Sequence, residues 1–370
     1  LKVISFFVAA YLFFLILKKN VHPFLALGGM LAFCLAPANI GMLLFAFNYE
    51  PFCIPLIFFI YKSFDDNRYV HFLVGCFLLA MVKEQMPLVV MMFGVFALIF
   101  RREQKMKWGL VPLLMGIIIF IVEIFVIIPL ARKGLPSTEF YYWGRYAQFG
   151  NTPGQIISFL LTHPPELWHS FFNGINIRWF KELFDVWGIL SVLSPHILLL
   201  ALPLFIKNLL SGWSQEHSVT GYYYAATFTP FIFLAAWNTL NYIKNQWRLP
   251  IQLIALGGMF IHAFIFFPLW SMTRYPIGGG PANVYAMHHL VKKIPPQASV
   301  ISGDFTLPLL ANRFEAYQFD SYLWGNCQIS GARFILDKPA DYLLLNFAEY
   351  YQLLHSDNRQ RFIPKITEVN

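Results

Sequence analysis

The sequence predicts an α-helical multi-pass membrane protein with a small C-terminal α/β soluble domain. Of the 370 residues, 58% are hydrophobic and only 12% are charged, whereas a soluble domain typically carries about 25% charged residues. Many apolar runs approach or exceed the roughly 20 residues that cross a bilayer core. They occupy residues 1–272, the predicted transmembrane domain, and a more polar composition follows in the predicted soluble domain, residues 282–370.

Polar or basic turns separate the apolar runs, which are the predicted membrane segments. The run Val186–Leu210 is interrupted by Ser194-Pro195 and Pro203. We favour a re-entrant segment hinged at Ser194-Pro195 over a full crossing, because it places Lys244 and Arg248 on the cytoplasmic side and the C-terminal domain outside, in better agreement with the positive-inside rule. In chain order the predicted segments are Leu1–Leu17, His22–Phe47, Phe52–Tyr61, Tyr69–Met81, Met86–Phe100, Trp108–Leu130, Val186–Leu210, Gly221–Leu240 and Leu249–Trp270.

Basic residues mark the predicted cytoplasmic side of the membrane. They cluster at Lys18-Lys19 and in the loops 62–68 and 101–107, as the positive-inside rule requires. The net charge of +8 therefore reflects membrane topology and does not indicate nucleic-acid binding. The same orientation places Glu50, the Lys83-Glu84 pair and a large loop, about residues 131–185, on the outer face.

The Lys83-Glu84 pair interrupts an apolar stretch that runs from Tyr69 to Phe100. An ionisable pair at membrane depth costs several kcal/mol unless it faces protein, water or a ligand, so the pair is a candidate functional site. The alternative is a hairpin turn at the membrane surface, because Gln85 and Pro87 follow at once. Glu123, inside another apolar run, is either a contact between helices or a second site residue.

Residues 139–146 (EFYYWGRY) combine many aromatic side chains with Arg145. Aromatic residues at this level commonly form an interfacial belt. The functional alternative is a platform for a sugar or lipid headgroup, with Arg132, Lys133 or Arg145 contacting a phosphate. The sequence leaves both interpretations open.

The C-terminal region follows a linker at Tyr275–Pro281 and shows the pattern of a small α/β domain. It carries no phosphate-binding glycine motif after a strand, so a role as a lid or scaffold is favoured over nucleotide binding. The predicted elements are a helix at Ala282–Lys293, strands at Ala298–Ser302, Glu315–Phe319 and Asp341–Leu345, and a helix at Phe347–His355.

The chain begins at Leu1, already within an apolar run, and shows no signal-peptide pattern. We therefore expect the natural protein to extend beyond this N-terminus. The four cysteines show no metal-binding or disulfide spacing. Neither a bound metal nor a cofactor is predicted from the cysteines.

Several short motifs recur in an order that resembles the domain of unknown function 2079 family, multi-pass proteins of bacteria and archaea. The resemblance covers essentially the whole chain. Asn48 and Tyr223 stand where the family has histidine, so chemistry that needs those imidazoles is lost here. The motifs are Phe47-Asn48-Tyr49-Glu50 with Pro55, Lys83-Glu84 before Arg101-Arg102, Leu193-Ser194-Pro195 through Leu202-Pro203 to Asn208–Ser211, Tyr223-Tyr224 with Ala226 and Pro230, Ile294–Val300, and Asn312-Arg313.

The resemblance implies a GT-C-like fold, found in glycosyltransferases that take a sugar from a polyprenyl-phosphate donor at the outer membrane face. It implies an integral protein of the plasma membrane whose partners are the bilayer and a lipid-linked sugar. The catalytic base of such enzymes lies in the first outer loop, before Leu1, so no residue of this sequence is assigned as the base.

The same resemblance implies roles for the residues on the outer face. Glu50 and Glu84 would orient the acceptor or bind a divalent metal, and Lys83 would pair with Glu84 or contact the phosphate. Tyr223 and Tyr224 would hydrogen-bond to the sugar or stack on it, and Arg145 is a further candidate for substrate binding. The resemblance leaves open whether a divalent metal is bound.

Two other classes of function use the same buried charges. A transporter or flippase-like protein would use them as a relay or solute site, although no inverted repeat is evident in the sequence. A non-catalytic membrane scaffold would use them to hold helices together.

Overall fold

Apolar helices make up most of the N-terminal part of the chain. A computed structural model describes residues 1–45, 48–101, 103–133, 141–184, 186–243, 249–254, 256–258, 280–303, 306–325, 333–334, 336 and 339–345. The chain divides into two compact units. The first comprises Leu1–Pro129 and Tyr142–Phe267, and the second comprises Leu130–Tyr141 and Pro268–Asn370.

The helices before residue 132 begin where the sequence supplies a start signal. Proline occupies the first or second position of several of them, where its missing N–H is not needed. Glu50 opens the fourth helix, where a negative charge is favoured by the helix dipole. The helices are α1 (Lys2–Leu17), α2 (Pro23–Cys34), α3 (Pro37–Leu44), α4 (Glu50–Asp65), α5 (Tyr69–Ala80), α6 (Met86–Phe100), α7 (Lys105–Val122) and α8 (Ile128–Ala131).

A π-helical turn, Glu123–Ile127, joins α7 to α8 and makes one continuous helix of 27 residues, Lys105–Ala131. In the described part of the chain this is the one helix long and apolar enough to cross a membrane by itself. Only 22% of its most apolar window is buried, which suits a helix that faces lipid. The structure thus confirms the helix predicted at Trp108–Leu130.

The predicted segment His22–Phe47 contains two helices, α2 and α3, which meet at an angle of 52°. Pro37 is the reason, because its ring prevents the helix from continuing through Leu35 and Ala36. Counted together, α2 and α3 are long enough to cross a membrane. By contrast, α1, α5 and α6 have between 12 and 16 residues each, which is fewer than the roughly 20 that cross a bilayer core.

The helices after residue 141 are shorter and more often interrupted. The predicted break at Ser194-Pro195 is present, and a 3₁₀ turn at Leu199–Ala201 adds another. The predicted segment Gly221–Leu240 is helical only from residue 224, as a 3₁₀ turn at Tyr224–Phe228 followed by an α-helix. The α-helices are α9 (Pro153–Thr162), α10 (Pro164–Phe171), α11 (Gly174–Leu183), α12 (Val186–Val192), α13 (Pro195–Leu198), α14 (Leu202–Leu210) and α15 (Thr229–Tyr242).

Phenylalanine rings form the core of the first unit, where α1 packs on α2 and α4. Phe13 lies at the centre, with its ring 5.0 Å from that of Phe58 and 5.6 Å from that of Phe33. The ring of Phe233, from α15, packs edge-on against Phe33 at 5.3 Å. Such aromatic pairs add about 0.5–1.5 kcal/mol each beyond their area burial, so α15 is held against the N-terminal helices.

Glycines allow α6 and α7 to pack closely in antiparallel directions. A Cβ at Gly94 would lie 2.6 Å from the Gly109 carbonyl oxygen and 2.7 Å from the Leu113 nitrogen. A Cβ at Gly116 would lie 2.7 Å from the Pro87 carbonyl oxygen. These contacts fix the register of the two helices. For a residue of α6 and the residue of α7 that faces it, the two residue numbers add up to about 205.

The basic turns lie together at one end of the first unit. Lys19 forms ion pairs with Asp65, at 2.5 Å, and with Asp66. Arg101 donates to the Asn67 side chain and, at 3.0 Å, to the Phe64 carbonyl oxygen. The turns predicted to share the cytoplasmic side therefore contact one another.

The second unit contains a three-stranded parallel sheet with the order β2-β1-β3. Asp341 fixes one end of the sheet, because its Oδ2 accepts hydrogen bonds from the Ser299 nitrogen and hydroxyl at 2.8 and 2.9 Å. The predicted helix Phe347–His355 and the linker up to residue 279 lie outside the described residues. The elements are α16 (Gly280–Lys293), β1 (Val300–Ser302), β2 (Ala316–Gln318), α17 (Phe319–Trp324) and β3 (Tyr342–Leu344).

The close approach of α6 and α7 predicts a position-specific effect of adding one methyl group. Gly94→Ala should lower the free energy of unfolding by about 1–2 kcal/mol, because the new Cβ meets backbone atoms that cannot move aside. Gly174→Ala is the matched control, since no atom lies within 4 Å of its Cβ position. Thermal unfolding in detergent measures both, and equal midpoints for the two variants would contradict the packing.

Candidate substrate-binding pocket

Glu50 and Lys83 form a buried ion pair at the end of the first unit that lacks the basic turns. Glu50, the first residue of α4, is 1% exposed. Lys83 lies in the turn between α5 and α6, and its Nζ donates to Glu50 Oε1. Glu50 and the Lys83-Glu84 turn, both predicted on the outer face, thus lie together at this end of the unit. Lys83 pairs with Glu50 and not with Glu84, its neighbour in sequence.

Two tyrosines cover the ammonium group of Lys83. Its Nζ lies 5.5 Å from the ring centroid of Tyr223 and 5.6 Å from that of Tyr224. The Tyr223 hydroxyl donates to the Tyr224 hydroxyl at 3.1 Å. Burial by itself disfavours the charged lysine, but Glu50 and Glu84 outweigh it and raise the pKa of Lys83 above its usual range. The two carboxylates therefore favour the charged form of Lys83.

A small pocket with a volume of about 180 Å³ opens beside this pair. It contains four of the residues predicted from the sequence, namely Glu50, Lys83, Glu84 and Tyr223, and it is small enough for a single headgroup. Its full lining is Asn48, Tyr49, Glu50, Val82, Lys83, Glu84 and Tyr223. We call it the Glu50 pocket.

Two predicted site residues do not line the Glu50 pocket. Tyr224 lies behind Tyr223 and is 9% exposed. Arg145 is 8% exposed, and it forms an ion pair with Glu216 while its Nη2 donates to the Tyr224 hydroxyl at 3.3 Å. Arg145 is thus a buried partner of a carboxylate and not part of an exposed aromatic belt. Glu139 and Phe140 of the same motif lie outside the described residues.

Glu216 is the centre of a second group of buried charges. Its side chain is 0% exposed, and Oε1 accepts from Arg145 and, at 2.6 Å, from Lys207. Lys207 and Arg145 also lie 5.8 and 5.4 Å from the ring centroid of Tyr224. We call Glu216, Arg145 and Lys207 the Glu216 cluster. Tyr223 and Tyr224 separate it from the Glu50 pocket.

Sequence reasoning missed Glu216 and Lys207. Lys207 interrupts the apolar run of α14, which is the same signal that identified Lys83. Glu216 lies in the polar segment Ser214–His217, where a charged residue is expected to face solvent, so no sequence signal pointed to its burial.

Glu123 lies near the Glu50 pocket by virtue of the α6–α7 register. Since α6 begins at Met86, Glu123 lies beyond the part of α7 that faces α6, toward the Lys83-Glu84 turn that precedes α6. It is also the first residue of the π-helical turn, and such turns are frequent at functional sites. No donor among the described side chains and backbone contacts its buried Oε2 atom.

A metal centre is not assigned. The residues that the structure describes contain no group of three or more His, Cys, Asp or Glu side chains that could hold a metal ion. Glu50 and Glu84 offer two carboxylates. Asn48 stands at the position where the family that the sequence resembles has histidine, so it does not add an imidazole.

The buried Glu50–Lys83 pair predicts strong coupling between the two side chains. Removing one partner of a buried pair costs about 3–5 kcal/mol, because the other charge stays buried without compensation. Lys83→Met and Glu50→Gln should each destabilise the protein by that amount, and the double variant by clearly less than their sum. Thermal and denaturant unfolding of wild type, the two single variants and the double variant measure the coupling between the two side chains.

The control for this cycle is Lys19→Met, which removes an exposed ion pair and should cost less than about 1 kcal/mol. Additive effects of the two pocket variants would contradict a paired, buried Glu50 and Lys83.

The Glu216 cluster predicts a loss of stability in acid. Burial alone would raise the pKa of Glu216, but Lys207 and Arg145 outweigh it and hold the pKa below its usual range. The ionised Glu216 therefore stabilises the fold above the ordinary glutamate pKa, and this contribution is lost as the pH falls through the lowered value. Glu216→Gln should unfold at a midpoint that depends less on acidic pH than wild type does. An unchanged pH dependence would contradict the paired, ionised state of Glu216.

Comparison with known families agrees with the apolar helices and with the motifs of the sequence. The chain matches no curated protein and no solved structure. Residues 2–366 match the model of a family described as "Predicted membrane protein (DUF2079)". Because this match spans nearly the whole chain, the protein belongs to the DUF2079 family of predicted membrane proteins.

Proposed function

We propose that the protein is a multi-pass membrane glycosyltransferase of the GT-C type, which moves a sugar from a polyprenyl-phosphate donor to an acceptor on the outer membrane face. The observation that carries this proposal is the Glu50 pocket. It combines two carboxylates, one fixed cation and an aromatic ring in about 180 Å³. These are groups that orient hydroxyls and stabilise a leaving phosphate.

The surface beside the pocket supports a lipid-linked substrate. Phe77, Leu78 and Met81 of α5 and the following turn are between 47% and 52% exposed. They precede Val82, which lines the pocket. An apolar strip that leads to a charged pocket suits a ligand with a lipid tail and a polar headgroup.

The reaction we propose is a direct displacement at the sugar. The acceptor hydroxyl oxygen attacks the anomeric carbon, the bond from that carbon to the phosphate oxygen breaks, and the phosphate leaves with the electron pair. The acceptor proton passes to a carboxylate base, which is not assigned to a residue of this sequence. Glu84 orients the acceptor by accepting a hydrogen bond, and Lys83 adds positive charge near the leaving phosphate.

The separation of charges supports the proposed orientation in the membrane. The basic turns with Lys19 and Arg101 lie at one end of the helices, and the Glu50 pocket lies at the other. By the positive-inside rule the basic end is cytoplasmic, and the pocket then faces outward. The plasma membrane of a bacterium or archaeon is the location we propose.

Glu84→Gln tests this function because it removes a charge from the pocket and conserves the shape of the side chain. With polyprenyl-phosphate sugars as donors and membrane lipids or glycans as acceptors, the variant should lose at least roughly 10²-fold in transfer rate. Its unfolding midpoint should stay near that of wild type, because Glu84 forms no buried ion pair. Product formation is followed by mass spectrometry.

The matched control is Glu103→Gln, an exposed glutamate in the loop before α7, which should transfer at the wild-type rate. Wild-type transfer by Glu84→Gln would contradict the role of the pocket. Movement of labelled lipid across the bilayer without bond cleavage would favour a transporter or flippase, and tolerance of substitutions at Glu50, Lys83 and Glu84 would favour a scaffold.

A further inference from the structure

The Glu50 pocket has an acidic wall whose charge is not balanced within the pocket. Glu50 and Glu84 contribute two formal negative charges, and Lys83 contributes one positive charge. Arg145 and Lys207 do not line the pocket, because both contact Glu216 on the other side of the tyrosine pair. A partly enclosed pocket with one excess carboxylate attracts a cation more strongly than a neutral or anionic group.

Glu50 also presents a hydrogen-bond acceptor that this cation can use. Its Oε1 is taken by Lys83, whereas no donor among the described residues contacts Oε2. Since Glu50 is 1% exposed, an acceptor left without a donor there destabilises the fold. A ligand that supplies an N–H group would remove this destabilisation.

Lys83 is not free to bind an anion in the pocket. Its Nζ is already bonded to Glu50 and lies over the rings of Tyr223 and Tyr224. An anionic ligand would have to displace Glu50 and would leave that carboxylate buried without a partner. The geometry thus disfavours a carboxylate or phosphate in direct contact with Lys83.

We infer that the Glu50 pocket binds a primary ammonium group, held by Glu50 Oε2 and Glu84. The inference rests on the proposed function and names its substrate class, either an amino sugar or the aminoethyl headgroup of a lipid. A primary ammonium supplies three donors in addition to its charge. A quaternary ammonium has the charge without donors, and a neutral sugar has donors without the charge. The volume of about 180 Å³, room for roughly six water molecules, suits a group of this size.

Two pairs of soluble probes test the inference with the full chain in lipid nanodiscs. Glucosamine against glucose tests the charge, and phosphoethanolamine against phosphocholine tests the N–H donors. Saturation-transfer NMR at mildly acidic pH reports binding of each probe. We expect the first member of at least one pair to bind roughly tenfold more tightly than the second, as one charge-assisted hydrogen bond provides. The preferred pair shows whether the source is an amino sugar or a lipid headgroup.

The variants assign this preference to the pocket. Glu84→Gln should abolish it, because the formal charge of the pocket becomes neutral, and Glu103→Gln should retain it. The inference would be overturned if both members of each pair bound equally, or if the preference persisted in Glu84→Gln. It would also be overturned if Mg²⁺ bound and the amines did not. If the protein prefers the primary-ammonium probes but transfers no sugar from any donor, only the proposed function is contradicted. If it transfers sugar but shows no preference for these probes, only the inference is contradicted.

Discussion

The buried ion pair between Glu50 and Lys83 is the contact on which the rest of the site depends. Each charge alone would be costly beneath the surface of an apolar helical unit, so the pair requires the start of α4 and the turn after α5 to stay together. The Phe-rich core and the glycine contacts between α6 and α7 hold these elements in place. Glu84 lies beside the pair in the same pocket, and the buried Glu50 Oε2 has no donor among the described residues.

The tyrosine pair connects this site to a second set of buried charges. Tyr224 contacts Lys83 on one side and Arg145 and Lys207 on the other, and Glu216 compensates these last two cations. Arg145 and Lys207 are thus paired with Glu216 behind the tyrosines, and the pocket itself contains Glu50, Glu84 and the single cation Lys83.

Sequence patterns predicted those parts of the structure that follow from local rules. A charged pair in an apolar run identified Lys83-Glu84, and the family resemblance identified Glu50. Breaker residues identified the interruption at Ser194-Pro195. The pairing of Lys83 with Glu50 was not predictable, because it depends on how two helix ends 33 residues apart along the chain meet. The burial of Glu216 and Arg145 likewise depends on tertiary contacts. The bend at Pro37, within the predicted segment His22–Phe47, was not predicted.

The central claim is that the Glu50 pocket and the basic turns lie on opposite membrane faces, and cysteine labelling in intact cells tests it most directly. Tyr49 lines the pocket and Met106 lies at the basic end, and each is 57% exposed. A membrane-impermeant maleimide should label Tyr49→Cys from outside and Met106→Cys only after permeabilisation, with the wild-type chain as the background for its own cysteines. The reverse pattern, or labelling of both positions from outside, would contradict an outward-facing pocket.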